Sequence, residues 1–273
     1  MLRNRTMLAG LTITLVVLFG VTAGAALMPY SAETMDFIDV LEPPSLAHPL
    51  GTDSFGRDVL TRVLVGGRIS LVISLCGVAL AAVLGTLTGM AAAWRGGATE
   101  TALMGLVDLL FAFPSFVLAL FLMVVLGYGV QDVALAIALV YFPIFARLAR
   151  NLTRVLRDEP YVQAARLIGQ PAPMILAREI LPNILSALMV QASIAIAFGV
   201  VIEAGLSFLG LGVQPPTPSL GVIMADGREY FQKAPWVLTL TGLAVSVALL
   251  GLNLLGDGLR DLADPKLRQA LRA

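Results

Sequence analysis

The chain has 273 residues, of which 58% are hydrophobic and 13% charged, with mean hydropathy +0.88 and formal net charge zero. Soluble domains are about 45–50% apolar and about 25% charged, so this composition excludes an ordinary water-soluble enzyme and indicates a polytopic membrane protein. Eighteen basic against 18 acidic residues leave no excess charge for nucleic acid; the single cysteine, Cys76, has no internal disulfide partner, and the single histidine, His48, makes no His-rich metal cage.

A spanning helix needs about 20 apolar residues. Met7 to Met28 is uncharged behind a leader carrying Arg3 and Arg5. Ala23-Gly24-Ala25 resembles a signal-peptide cleavage site, but the run exceeds the usual apolar region of about 7–15 residues, so an uncleaved first span is expected. Residues 29–68 follow as an extracytoplasmic segment, in which Asp53 and Asp58 lie near Arg57 and Arg62. That segment is expected to cap the bundle rather than touch substrate, its charges pairing at the surface for about 0–1 kcal/mol each. His48 with Asp53 is too sparse for a metal site.

Ile69 to Trp94 reads as the second span, and Leu109 to Gln131, preceded by Asp108 and containing Pro114, as the third. Val133 to Ala146 is short. It must extend toward Leu152, with Arg147 and Arg150 snorkelling to the interface. Ile180 to Ile202, between Glu179 and Glu203, is the fifth span, and Ala234 to Gly256, between Lys233 and Asp257, the sixth. Ala204 to Ala225 is also uncharged, but Pro215, Pro216, Pro218 and its glycines would leave backbone groups unpaired in lipid, so it reads as a folded extramembrane or re-entrant segment. With six spans and both termini in the cytoplasm, the inner side holds thirteen basic residues, among them Arg95, Arg147 to Arg178, Arg260, Lys266, Arg268 and Arg272. The outer side holds Arg57, Arg62, Arg68, Arg228 and Lys233. A seventh span would weaken that bias, so the positive-inside rule favours six. The expected division is 1–68, the first span plus the outer segment, and 69–273, the remaining helices with an inner loop at 150–182.

Within that loop, Asp158-Glu159-Pro160-Tyr161-Val162-Gln163-Ala164-Ala165-Arg166-Leu167-Ile168-Gly169 reads as a short helix. Proline suits the first turn, the acids complement the positive helix N-terminus, and Gly169 can take the left-handed position after the last turn. Ala164 and Ala165 are expected to form a small-residue platform on which another protein could approach closely. A second helical stretch runs through Met174, Ile175, Leu176, Ile180 and Leu181 before Pro182. From these residues alone, a solvated connection and a docking element are equally consistent.

The segment resembles the loop of ABC importer permeases, whose pattern is Glu-Ala-Ala, three residues, Gly, nine residues, then Ile-x-Leu-Pro. Here Gln163-Ala164-Ala165, Gly169 and Glu179-Ile180-Leu181-Pro182 keep that spacing, with Gln163 in the Glu slot and Glu179 in the Ile slot. His48-Pro49-Leu50-Gly51-Thr52-Asp53-Ser54-Phe55-Gly56-Arg57-Asp58, Leu206-Ser207-Phe208-Leu209-Gly210-Leu211-Gly212 and Asn253-Leu254-Leu255-Gly256-Asp257 are similar to segments of dipeptide, oligopeptide and nickel permeases, closest to the second permease of the peptide systems. The resemblance implies an all-α type I importer permease fold in the bacterial inner membrane. It also implies four kinds of neighbour: two ATP-binding subunits, a second permease, an extracytoplasmic substrate-binding protein and the bilayer. By the same analogy, Glu159, Tyr161, Gln163, Ala164, Ala165 and Gly169 belong to the coupling helix that rests on an ATPase. The cargo is left open among dipeptides, oligopeptides, glutathione-like peptides and nickel chelates.

No Gly-x-x-x-x-Gly-Lys-Ser/Thr loop occurs in the sequence, so no cofactor or nucleotide site is expected in this chain, and no catalytic residue. Asp108, Gln191, Glu203 and Asn253 are the polar residues in or beside spans. Gln191 is the deepest and is the candidate for the translocation pathway, whereas Asp108 and Glu203 sit near span ends, where an interfacial place is as consistent as a pore role. An ion-coupled secondary transporter is the rival class, although neither paired repeats nor mid-membrane carboxylates stand out.

Overall fold

The structure is a computed structural model and describes residues 5–263. The basic residues Arg3, Lys266, Arg268 and Arg272, and the Asp264-Pro265 pair, lie outside the described residues, as do the side chains of Arg5, Arg260 and Asp261.

Five helices are long and apolar enough to cross a membrane, and a bent pair makes a sixth crossing if its halves act as one span. The long helices are α1 (Met7–Leu27), α2 (Val59–Arg95), α5 (Val130–Leu156), α7 (Ala172–Phe208) and α9 (Pro235–Ala263). The bent pair is α3 (Gly97–Phe111) with α4 (Ser115–Leu126). Two shorter helices complete the described set, α6 (Pro160–Leu167) and α8 (Leu220–Glu229).

Three spans depart from the sequence expectation, each for a local reason. Helix α2 begins ten residues before Ile69, because Asp58 caps it: its Oδ2 accepts from the Thr61 N–H at 2.7 Å. The run from Leu109 to Gln131 is not one helix. Pro114 has no N–H and disfavours helical backbone at Phe113, so the chain turns through 93° between α3 and α4. The fifth span does not begin at Ile180. It is continuous from Ala172, and a π turn at Leu176–Ile180 takes up the register around the proline. Beyond Glu203, α7 runs on to Phe208, past the expected end at Ile202; a proline-rich turn follows, and the ten-residue α8 is too short to span.

The most extensive helix contact is between α2 and α5. Gly77, Ala81, Gly85 and Gly89 recur every four residues along α2 and let the α5 backbone approach closely. A Cβ at Gly85 would sit 2.7 Å from both the Phe142 carbonyl oxygen and the Phe145 Cβ. The main core joins these two helices to α7 and to the short α6 through Phe145, Ala149, Val162, Ala165, Ile175 and Ile180. A second cluster, with Val59, Val63, Val200, Leu220 and Ile223, lies at the other end of the bundle. Helix α1 packs along α9, where Gly10 meets the Leu254–Leu255 backbone.

Candidate functional site

Helix α6 is held by its termini. Glu159 is extended, Pro160 occupies the first turn and Gly169 takes φ +80°, so that the Gln170 N–H reaches back to the Ala165 carbonyl at 3.1 Å. The helix has two unlike faces. Val162 and Ala165 are buried in the main core, whereas Tyr161, Ala164, Leu167 and Ile168 face outward, with Leu167 89% and Ile168 74% exposed. The two alanines expected to share a platform therefore divide. Ala164 is on the open face, and Ala165 packs inward, because neighbouring helical positions point about 100° apart.

Several side chains bind this helix to the rest of the bundle. Gln163 Nε2 donates to the Arg157 carbonyl at 3.1 Å, a bond that the family's usual carboxylate could not make. Asn183 Nδ2 donates to Tyr161 Oη at 3.3 Å and to the Glu179 carbonyl at 2.6 Å. Burial and then the charges of Glu159 and Glu179 push the Tyr161 phenol above its ordinary pKa of 10.0. Arg157 Nη1 donates to the Ala93 carbonyl at 2.7 Å, and the Arg166 guanidinium lies 4.0 Å over the Trp94 ring. The end of α2 and the start of α7 are thus both fastened to α6.

Away from α6, the polar candidates separate. Gln191 is half-buried on α7 and makes no hydrogen bond to the described residues. Asp108 is exposed and pairs with Arg147 at 2.6 Å. Asn253 is partly exposed on α9. Glu203 is buried inside the bundle: it is 0% exposed, and Ser207 Oγ donates to its Oε1 at 2.7 Å. Its position beside an apolar run concealed this. The clue in the sequence was Ser207 four residues on.

Asp53, Arg57, Asp58 and Arg62 of the 29–68 segment are buried, not superficial. Asp53 accepts from Arg57 Nε at 2.7 Å and is also paired with Arg62, which is 1% exposed. His48 Nδ1 is 2.9 Å from Asp58. The partner missing from the sequence reading is Asp226 on α8, 3.2 Å from Arg62 and 3.3 Å from Arg57. Between α2 and α7 an apolar groove of about 650 Å³ opens along Ala82, Thr86 and Met90 on one wall and Leu176, Leu185 and Ala192 on the other.

A bundle of apolar spans with a folded polar cap and a short two-faced helix on a loop is the architecture of a membrane-embedded transport subunit. The family described as the binding-protein-dependent transport system inner membrane component matches residues 83–269, and the chain belongs to it. Its relatives include the glutathione transport system permease protein GsiD of Pectobacterium atrosepticum, 42% identical over 89% of this chain and 81% of that protein. The di/tripeptide transport system permease protein DppC of Pseudomonas aeruginosa is 38% identical over 98% of this chain and 90% of its own length. A solved inward-facing structure of the MetNI methionine ABC transporter superposes with TM-score 0.48 at 18% identity, covering 71% of this chain and 94% of that one. The chain is thus a multi-pass permease component of an ABC importer in a bacterial inner membrane.

Proposed function

We propose that this permease carries peptides or peptide-like solutes inward, driven by ATP hydrolysed on two separate subunits that grip α6 from the cytoplasm. The observation that carries the reading is the unlike pair of faces on α6. An eight-residue helix exposes Tyr161 and Leu167, with Ile168 just after it, to its surroundings while Val162 and Ala165 lock it into the core. A partner that pulls on the open face moves the core side with it, and nucleotide shifts the inward- and outward-open balance only through such differential contacts. Glu159, Tyr161, Gln163, Ala164, Ala165 and Gly169 build that lever, with Ala164 setting the docking distance and Ala165 the seating. Both termini lie in the cytoplasm, in accord with the positive-inside count. A second permease and an extracytoplasmic binding protein complete the machine. Gln191 borders the route of the solute. Glutathione and nickel chelates remain the alternative cargo, in keeping with the glutathione and peptide permeases among the relatives.

The test is uptake by the complete complex in proteoliposomes. Leu167→Asp on the open face should leave the permease inserted and abolish both ATP-driven uptake and substrate-stimulated ATP turnover. Uptake driven by an ion gradient without ATP would instead establish the secondary-transporter reading.

A further inference from the structure

The apolar groove between α2 and α7 takes nothing from α3, α4 or α5: one wall runs from Ala82 to Ala91 and the other from Pro173 to Ala192. Apart from Thr86, the lining is apolar. A peptide laid along it would leave its backbone N–H and C=O groups unpaired, so the groove does not suit the solute. Its α2 wall lies in the charge-free run that closes at Trp94, and most of its α7 wall lies in the span beyond Glu179. Hydrocarbon therefore surrounds the groove, and headgroups surround its α6-facing end.

Two cations stand at that end. Arg95 follows Ala91 by one turn of α2, and Arg178 follows Ala177 on the π turn of α7; both are exposed. Neither has an ion pair, hydrogen bond or ring contact among the described residues. Nearby, Arg147, Arg150, Arg154, Arg157 and Arg166 each have an acid or a ring. The two arginines left uncompensated are thus the two that border the groove. We propose that the groove binds an anionic phospholipid of the inner leaflet, with an acyl chain along Thr86, Met90 and Leu185 and the phosphate held by Arg95 and Arg178. Guanidinium groups grip phosphate oxygens through paired N–H donors, and the cytoplasmic leaflet is the one that carries anionic lipid. A helix of a second permease would cover the apolar walls equally well, but it leaves the arginines uncompensated, whereas one lipid answers both. The leaflet named rests on the cytoplasmic place of α6; the site itself does not.

The experiment places the complete complex in phosphatidylcholine vesicles carrying either a phosphatidylglycerol or a phosphatidylcholine probe, each with a photoreactive diazirine on one acyl chain, and maps the labelled residues by mass spectrometry. The phosphatidylglycerol probe should label the groove at Met90, Leu185 or Met189 in clear preference to the phosphatidylcholine probe. An arginine near an anionic headgroup is worth about fivefold in binding, so Arg95→Gln/Arg178→Gln should lower phosphatidylglycerol labelling about twentyfold and leave phosphatidylcholine labelling unchanged. Equal labelling by the two probes in the parent overturns the proposal, and so does a preference that survives in the double variant. The comparison in the parent needs no variant, so it decides even if the double variant does not assemble. A groove labelled by neither probe also overturns the proposal: a protein segment then covers it, and a cross-link from Met189→Cys in a Cys76→Ser background identifies that segment. Preferential labelling only from the leaflet remote from the ATP-binding subunits keeps the site and strikes the α6 reading, so the two failures are distinguishable.

Discussion

The guanidinium of Arg166, on the short helix α6, lies 4.0 Å above the ring of Trp94, at the last turn of α2. With the bond from Arg157 to the Ala93 carbonyl, this contact makes α2 a second arm of α6, alongside the chain's own continuation into α7.

A cation over an indole contributes about 0.5–2 kcal/mol according to its exposure. A double-mutant cycle of Arg166→Ala and Trp94→Ala, followed by thermal unfolding of the detergent-solubilised complex, should return a coupling energy in that range. Either single change should also lower uptake more than it lowers basal ATP turnover.

The close seam between α2 and α5 predicts a contrast between two glycines. Gly85→Ala would press a methyl 2.7 Å from the Phe142 carbonyl and should destabilise by about 1–3 kcal/mol. Gly105→Ala, where a Cβ meets nothing within 4 Å, should be neutral or stabilise by up to about 1 kcal/mol. Unfolding midpoints of the two variants check the difference in sign.

In the cap, Asp53 is the hub for two buried arginines, whereas the Asp226 side chain is 28% exposed. Asp53→Ala leaves the two buried arginines to share the more exposed Asp226 and should cost about 3–5 kcal/mol. Asp226→Ala leaves both arginines with Asp53 and should cost about 1 kcal/mol. Expression level and thermal midpoint in membranes report the order.

The six apolar runs were legible because lipid demands uninterrupted apolar sequence, and charge-free stretches show this directly. Helix ends were less legible. Helix α2 continues past the expected start at Ile69 through Arg68 and Arg62, and Arg62 is buried against Asp53, nearby in sequence, and Asp226, 164 residues away, a second pairing no local window contains. Pro114 was visible as a weak point, but the 93° turn depends on what α3 and α4 each pack against. In the loop, Pro160 and Gly169 marked the ends of α6 correctly, while the choice between Ala164 and Ala165 as the open face depended on burial in a core whose other members, such as Phe145, are remote in sequence. The burial of Glu203 was not legible for a similar reason: it depends on the packing of helices remote in sequence around the end of α7.

The central claim is that α6 is gripped by an ATPase from the cytoplasm, and the chain's single cysteine makes this directly measurable. In a Cys76→Ser background, Ala164→Cys should cross-link to the ATP-binding subunit in inside-out vesicles, with a yield that changes when nucleotide is added. It should stay unlabelled by a membrane-impermeant maleimide applied to intact cells. Labelling from the cell exterior, or a cross-link to no ATP-binding subunit in the assembled complex, would contradict the account.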